Sequence, residues 1–293
     1  MSSEQPERLD RLMQIARLRL REACLDTPDL DARLLVEWVT GTTRLDLIAS
    51  PEQRVDIEQV ARLHAALERR ASGEPVHRII GMREFYGLPF RLSSQTLEPR
   101  PDTEALVDLV APHVQALIDR HGCADMLDMG TGTGAIVIAL LHRFAKLCGV
   151  GLDISEDALA TARINAETNA VSNRFAALKS DWFANVSGRF HLIVSNPPYI
   201  PQEEIKGLAR EVREHDPIAA LDGGIDGLDF YRALAQGAAQ YLYRDGMIAV
   251  EIGAGQFDDV LALFESAGFS LVDAASDLGG HRRAMIFAFA QAL

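Results

Sequence analysis

The sequence predicts an α/β protein in which a doubly wound, mainly parallel sheet follows a helical amino-terminal region. Three observations support this prediction. From residue 125 onward apolar, strand-like runs alternate with helical runs, a glycine-rich turn follows the first of these runs, and apolar residues recur at helical spacing in residues 1–75. The chain has 293 residues, of which 48% are apolar, and this is enough for one large or two modest domains.

Apolar residues at helical spacing predict a small helical bundle in residues 1–75. The first helix would bury a face that includes Leu9, Leu12 and Leu20. Pro28 is typical of the first turn of a second helix, and Gly41 is typical of its end. A third amphipathic run covers residues 60–70. The pattern therefore predicts three main helices before the α/β region.

A short linker region is predicted after these helices. Residues 84–92 alternate around Gly87, which predicts a β-hairpin. Pro99 and Pro101 then favour an extended turn, and Asp102 or Thr103 could cap a helix over residues 104–118. The sequence leaves two interpretations of this turn open: it only caps the helix, or it also lines a ligand pocket.

Seven apolar runs are the candidate strands of the sheet. They cover residues 125–129, 148–152, 175–179, 190–195, 246–251, 269–275 and 283–290. Helices are expected between them, including a long one over residues 226–243. The last two strands are too close in sequence for a crossover helix, so we expect them to pair antiparallel. The glycine turn and Asn196 should then lie on adjacent central strands.

The most informative stretch of the chain consists of Asn196, Pro197, Pro198 and Tyr199. Consecutive prolines after the apolar run 192–195 force a turn, which leaves Asn196 at the carboxyl end of a buried strand. The Asn196 side-chain oxygen and the Pro197 carbonyl could each accept one hydrogen from an –NH2 group, while Tyr199 packs against the attached π system. This arrangement would localise the nitrogen lone pair towards an electrophile. The alternative is a proline-rich turn that binds no ligand.

A glycine-rich turn follows the predicted strand 125–129. Its residues are Gly130, Thr131, Gly132, Thr133 and Gly134. Asp153 ends the next predicted strand, where a carboxylate would bind ribose hydroxyls. The spacing G-x-G-x-G differs from the dinucleotide fingerprint. Asp128 would also repel a pyrophosphate but favour the cationic methionyl end of S-adenosylmethionine, so the turn predicts a site for that cofactor.

Asp181 and Trp182 follow the predicted strand 175–179 and form a third candidate element. An acid and an aromatic side chain at a strand end could bind the adenine amine and stack on its ring. A buried Trp182 beside a solvated Asp181 is an equally good interpretation of the same two residues.

The order and spacing of these motifs resemble those of the HemK-type glutamine methyltransferases. Two further stretches are similar to that family. They are residues 83–90 followed by 98–104, and the loop 217–232 after the Asn-Pro-Pro-Tyr stretch. The similarity covers nearly the whole chain, is weakest before residue 70, and is specific to the peptide chain release factor glutamine methyltransferases.

The resemblance implies a fold and a reaction. The fold would be a seven-stranded Rossmann-like class I methyltransferase domain over residues 99–293, after a hairpin linker over 76–98 and a helical substrate-recognition domain over 1–75. The alternative for these helices is a cap that only adds stability. S-adenosyl-L-methionine would be the cofactor and S-adenosyl-L-homocysteine the product. The methyl group would go to the amide nitrogen of the glutamine in the Gly-Gly-Gln loop of class I peptide chain release factors, which would modulate translation termination.

The residue patterns and the resemblance together predict the site. The predicted cofactor-binding residues are Asp128, Gly130, Thr131, Gly132, Thr133, Gly134, Asp153, Asp181, Trp182 and Asn196. The predicted catalytic residues are Asn196, Pro197 and Tyr199. The predicted substrate-binding residues are Asn196, Pro197, Pro198 and Tyr199.

Composition and charge restrict the partners. The net charge of −13 disfavours direct binding to nucleic acid, because such proteins usually carry a basic face that neutralises phosphates, and it favours a protein substrate. Cys24, Cys123 and Cys148 are scattered, which indicates a reducing cytoplasm and no disulfide framework or zinc site. No metal site, membrane span or targeting signal is expected, and the protein is expected to be a monomer.

Other functions remain compatible with the motifs. A glutamine methyltransferase that acts on a ribosomal protein would use the same chemistry. Adenine-specific DNA and guanine-modifying RNA methyltransferases also use an Asn-Pro-Pro-aromatic turn, although they normally add a basic recognition domain. A non-catalytic S-adenosylmethionine-binding regulator is a third possibility, which the intact residues Asn196 to Tyr199 argue against.

Overall fold

The structure is a computed structural model that describes residues 6–277 and 279–290. The chain forms two compact units that divide between Gly81 and Met82, inside the predicted linker 76–98. In the described part of the chain, no helix is both long enough and apolar enough to cross a bilayer.

The first unit is a bundle of helices. Its helices are α1 (Leu9–Glu22), α2 (Pro28–Thr40), α3 (Asp46–Ala49), α4 (Ile57–Ala71) and α5 (Val76–Ile80). Pro28 occupies the first turn of α2, and Gly41 ends it at a φ of 70°, as predicted. The side chain of Asp56 caps α4 by accepting a hydrogen bond from the Gln59 N–H.

The core of the first unit comes from the faces that the sequence pattern predicts. Leu9, Leu12 and Leu20 of α1 are fully or almost fully buried against α2 and α4. Two features were not predicted. A short antiparallel pair joins β1 (Glu7–Arg8) to β2 (Arg54–Val55), and a buried ion pair joins Arg70 to Asp31 at 2.7 Å.

The second unit begins with the predicted hairpin, which consists of β3 (Met82–Phe85) and β4 (Leu88–Arg91). Tyr86 and Gly87 form its turn with φ values of 54° and 74°, as a two-residue hairpin turn with both central residues left-handed requires. Phe85 and Phe90 are buried in the core of this unit, so the hairpin is anchored by packing.

A seven-stranded sheet forms the centre of the second unit. Its strands are β5 (Ala124–Met129), β6 (Leu147–Asp153), β7 (Phe175–Lys179), β8 (Phe190–Ser195), β9 (Leu242–Glu251), β10 (Phe269–Ser276) and β11 (Arg282–Phe289). The spatial order is β10-β11-β9-β8-β5-β6-β7. Pairs from β9 through β8, β5 and β6 to β7 are parallel, whereas β11 runs antiparallel to both β9 and β10. The predicted strands, the mainly parallel pairing and the antiparallel last pair are confirmed.

Helices cover both faces of this sheet. They are α6 (Glu104–His121), α7 (Ala135–Arg143), α8 (Glu156–Thr168), α9 (Gln202–Ile205), α10 (Arg210–His215), α11 (Asp229–Gly237) and α12 (Phe257–Ser266). Alternate strand residues separate into two cores: α6 and α7 pack on one face, and α11 and α12 pack on the other. The doubly wound α/β prediction is therefore confirmed.

The predicted helix over residues 226–243 is wrong at both ends. Residues 226–228 form a loop in which the Asp226 carboxylate accepts a hydrogen bond from the Leu228 N–H, and Gly227 has a φ of 77°. At the other end, α11 passes into a short 3-10 turn, Ala238–Gln240, and β9 already begins at Leu242. Leu242 pairs with Phe190 of β8 and is buried, so pairing in the sheet overrides the helical pattern there.

Candidate active site

A cavity of about 370 Å³ opens at the carboxyl ends of the central strands. Its walls include seven of the predicted site residues, namely Gly130, Gly132, Asp153, Asp181, Trp182, Asn196 and Pro198. The predicted adjacency is confirmed, because β5 and β8 are paired and the turn after each strand reaches this cavity. A second cavity, of about 380 Å³, contains Asp125, Arg174 and Arg189 and none of the predicted site residues.

The glycine turn requires its glycines for different reasons. Gly130, Gly132 and Gly134 have φ values of 69°, 53° and 80°. A Cβ atom at Gly130 or Gly132 would meet nothing within 4 Å, so backbone conformation alone requires glycine at these two positions. A Cβ atom at Gly134 would lie 2.7 Å from Ile138 Cδ1, so the start of α7 also needs the space.

Asp153 joins the end of β6 to this turn. One carboxylate oxygen accepts a hydrogen bond from the Gly132 N–H at 3.0 Å, and the other accepts one from the Ser155 N–H at 2.9 Å. Each oxygen keeps a second lone pair, and Asp153 lines the cavity. The carboxylate is thus held in one orientation and can accept hydrogen bonds from ligand hydroxyls.

Asp128 lies beneath the turn and does not line the cavity. It is 1% exposed, and its Oδ2 accepts a hydrogen bond from the Thr131 hydroxyl at 2.7 Å. Burial raises the pKa of Asp128 to about 7, although hydrogen bonds from Thr131 and the Val137 N–H favour the charged form. Within the described residues, no hydrogen bond of ordinary length reaches Oδ1. Thr131, Thr133 and Gly134 likewise shape the turn and do not line the cavity.

Trp182 forms part of the cavity wall. It is 36% exposed, has a φ of 50°, and packs against Phe230 with ring centroids 4.7 Å apart. The interpretation of Trp182 as a buried core residue is therefore wrong. Asp181, beside it, is exposed and also lines the cavity, so an acid and two aromatic rings occupy one end of the cavity.

The carboxamide of Asn196 has a defined orientation. Its Nδ2 donates a hydrogen bond to Thr103 Oγ1 at 3.0 Å. Within the described chain, no protein donor reaches its Oδ1, so the oxygen remains available as an acceptor beside the cavity. An –NH2 group donates hydrogens, so binding it requires an acceptor oxygen of this kind.

The remaining residues of the Asn-Pro-Pro-Tyr stretch do not all line the cavity. Pro198 lines the cavity, but Pro197 is buried, and neither Pro197 nor Tyr199 lines it. The Tyr199 carbonyl accepts a hydrogen bond from Gln256 Nε2 at 2.9 Å. A Cβ atom at Gly227 would lie 2.3 Å from that carbonyl, so the loop before α11 holds the stretch from behind.

The proline-containing turn before α6 does more than start the helix. Neither Asp102 nor Thr103 makes the predicted side-chain cap, because the 3-10 turn Pro101–Thr103 directs the Thr103 hydroxyl to Asn196. Arg100 forms an ion pair of 2.7 Å with the buried Asp216, which directly precedes Pro217 of the cavity wall. The turn therefore supports two parts of the site from behind, although none of residues 98–104 lines the cavity.

Sequence reasoning missed a group of charged residues behind Asn196. Glu251 ends β9, is 2% exposed, and has a pKa raised to about 7 by burial. Arg283 lies nearby, paired with Asp277 at 2.9 Å and with Asp102 at 3.7 Å. The available signal was a carboxylate at the end of a predicted central strand, which is where ligands bind in such sheets.

Comparison with known proteins identifies the family. The model of the PrmC N-terminal domain matches residues 11–81, and that of the Methyltransferase small domain matches residues 107–214. A release factor glutamine methyltransferase from Agrobacterium fabrum is 52% identical over 272 residues, covering 93% of this chain and 94% of that one. The chain belongs to the release factor glutamine methyltransferase family. The predicted membership of this family of enzymes is thereby confirmed.

Other members of the family are similar over comparable lengths. The release factor glutamine methyltransferase of Caulobacter vibrioides is 43% identical and covers 92% of this chain and 93% of its own.

Among solved structures, the hMettl16 catalytic domain in complex with the MAT2A 3'UTR hairpin 6 has a TM-score of 0.52 and 16% identity. It covers 79% of this chain and 81% of its own. At that identity the likeness supports the methyltransferase fold alone.

Proposed function

We propose that the protein transfers a methyl group from S-adenosylmethionine to the side-chain amide nitrogen of the glutamine in the Gly-Gly-Gln loop of class I release factors. The orientation of Asn196 carries this proposal. Its nitrogen is bound to Thr103, so its oxygen is left to accept a hydrogen from an incoming amide. The names of the relatives from Agrobacterium fabrum and Caulobacter vibrioides support the same substrate.

The cavity fits S-adenosylmethionine better than a dinucleotide. Its described lining includes Asp153 and Asp181 but no lysine or arginine, which suits a cationic ligand and disfavours a pyrophosphate. Asp153 would bind the ribose hydroxyls, Asp181 the adenine amine, and Trp182 the adenine ring. The buried Asp128 would favour the methionyl ammonium through its charge. Gly130, Gly132 and Asn196 would form the wall beside the methionyl group, and Thr131, Thr133 and Gly134 would hold the turn in shape behind it.

The residues of the Asn-Pro-Pro-Tyr stretch would act by positioning. When bound, S-adenosylmethionine supplies an electrophilic methyl group on its sulfonium. Asn196 Oδ1 and the Pro197 carbonyl would each accept one hydrogen from the glutamine amide, which localises the nitrogen lone pair. They would also stabilise the positive charge that develops on this nitrogen. Pro198 and Tyr199 would hold the glutamine in place, and positioning of this kind supplies up to about 7–11 kcal/mol of a barrier.

The first unit is proposed to recognise the release factor. Leu45 directly precedes α3, and Ile48 lies within it. Both residues are 71% exposed, as expected of a surface that binds another protein. The net charge of −13 would attract a partner with a basic surface.

We further propose the domain bounds 1–75, 76–98 and 99–293, a monomer that does not bind nucleic acid directly, and a cytoplasmic location. The three free cysteines support the last of these.

Methyl transfer from labelled S-adenosylmethionine to a purified class I release factor tests the proposal. A release factor with Gln→Ala in its Gly-Gly-Gln loop is the matched control. We expect label on the first protein and none on the second. Equal labelling of both would exclude this glutamine as the target. Labelling of neither, with cofactor binding intact, would favour a ribosomal protein or a nucleic acid as the substrate.

A further inference from the structure

A buried carboxyl group lies beside Asn196 on the neighbouring strand. β8 and β9 are parallel, and Ser195 pairs with Val250. The next residues along the two strands, Asn196 and Glu251, therefore lie side by side. Glu251 is 2% exposed, and among the described residues no hydrogen bond reaches its Oε2. Leaving a carboxyl oxygen buried without a partner is costly for the fold, which indicates a role outside stability.

Thr103 connects this carboxyl group to Asn196. Thr103 Oγ1 accepts a hydrogen bond from Asn196 Nδ2 at 3.0 Å. The side chains of Thr103 and Asn196 both face the Glu251 carboxyl group and stabilise its charged form. A carboxylate can only accept, and a hydroxyl has one hydrogen to donate. The Thr103 hydroxyl therefore keeps its one hydrogen for the ionised Glu251, while its lone pairs face the nitrogen of Asn196.

We propose that Glu251 is a positioning residue, which acts together with Thr103 to keep the Asn196 carboxamide turned with its oxygen towards the substrate amide. A carboxamide has nearly the same shape in its two flipped orientations, so shape alone does not select one of them. While Glu251 is ionised, a flipped Asn196 carboxamide would place its Oδ1 against the oxygens of Thr103 and Glu251, which act as acceptors there. This inference rests on the proposed function and adds a residue to the same site.

The charge state of Glu251 should change near neutral pH. The titratable and charged groups that face it are Arg283, Asp102, Tyr199 and Tyr231, and Arg283 is itself paired with Asp277. Burial raises the pKa of Glu251 to about 7, Arg283 opposes this rise, and Asp102 adds to it. A protonated Glu251 becomes a hydrogen-bond donor, so the preference for one orientation of Asn196 weakens as the pH falls.

Kinetics of methyl transfer to a release factor across the neutral pH range test this inference. Glu251→Gln should lower kcat by about 10- to 100-fold, as displacing a positioned group does, while the KM and the affinity for S-adenosylmethionine stay close to wild type. The wild type should lose kcat on the acid side with an apparent pKa near 7, and this limb should disappear in Glu251→Gln. Glu265→Gln makes the same chemical change at an exposed position of α12 and is the control.

A second pair of variants covers the case in which Glu251→Gln does not fold. Thr103→Val removes the connecting hydroxyl and should lose kcat, whereas Thr103→Ser retains the hydroxyl and should keep more of it. Unchanged kcat and an unchanged acid limb in Glu251→Gln, or equal kcat values for the two Thr103 variants, would overturn the inference. A wild type that methylates no release factor would overturn the proposed function instead.

Discussion

Asn196 has the side chain on which the proposed chemistry depends most directly, because it provides an acceptor that no described protein group uses. Asn196→Ala should lower kcat by about 10²- to 10³-fold, as removal of one charge-stabilising group typically does. The affinity for S-adenosylmethionine should change little, because the glycine turn, Asp153 and Trp182 remain. Radiolabel transfer gives the first quantity, and calorimetry gives the second.

Asn173→Ala is a suitable control for this prediction, since Asn173 is exposed and does not line the cavity of the candidate site. Near-normal turnover in Asn196→Ala would contradict the mechanism.

Asp128 should contribute to the pH dependence of stability. Its pKa is raised to about 7 in the folded protein, so its contribution to stability is fully present below the ordinary carboxyl pKa and is lost as the pH rises through 7. Asp128→Asn should therefore be more stable than wild type at about pH 8, by about 1–4 kcal/mol, and should lose this advantage at about pH 4. Urea unfolding at the two pH values measures the difference.

The same variant should bind S-adenosylmethionine more weakly, because the charge that attracts the methionyl ammonium is gone. A stability difference that does not vary with pH would show that Asp128 is already charged in the folded protein over this range.

At the scale of elements, loops after the strands position the site by close backbone contact. Gly227, in the loop before α11, has a φ of 77° and leaves no room for a Cβ atom beside the Tyr199 carbonyl. Gly227→Ala should push the Asn-Pro-Pro-Tyr stretch out of place and cost about 1–3 kcal/mol of stability. Turnover should fall more than cofactor affinity does, as measured by methyl transfer and calorimetry.

Gly188→Ala separates backbone strain from contact. Gly188 has a φ of 81°, but a Cβ atom there would meet nothing within 4 Å. This variant should lose some stability through strain alone, about 1 kcal/mol, and keep its turnover. If both glycine variants lose turnover equally, contact with Tyr199 is not the cause.

At the scale of the whole molecule, the first unit should contribute to recognition of the release factor. The double variant Leu45→Ser, Ile48→Ser removes two exposed apolar side chains and should raise the KM for the release factor by about 10-fold. The affinity for S-adenosylmethionine and the melting temperature should not change, because neither side chain is buried. Steady-state kinetics with varied release factor measures the effect.

Ile164→Ser, on α8, changes an exposed apolar side chain of the second unit and serves as the control. An unchanged KM in the Leu45 and Ile48 variant would favour the alternative in which these helices only add stability.

Local patterns predicted the strands well and the helix before β9 poorly. The predicted strands 175–179 and 190–195 coincide with β7 and β8, because turn residues bound their apolar runs. The helix predicted over 226–243 failed because its ends are set by distant partners. Gly227 packs against Tyr199, and Leu242 pairs with Phe190. Helical periodicity contains no information about either contact.

The sequence by itself determined the positions of the sheet strands along the chain, the glycine turn, and the place of Asn196 after a central strand, since residue types close in sequence dictate these features. Only the tertiary structure decided which carboxyl groups lie behind them. Asp128 and Glu251 have raised pKa values because elements far apart in the chain bury them. Thr103 reaches Asn196 because the fold brings the turn before α6 against the end of β8. Burial and pairing across the fold are not encoded in any local pattern, so the charge and orientation of the site depend on tertiary structure.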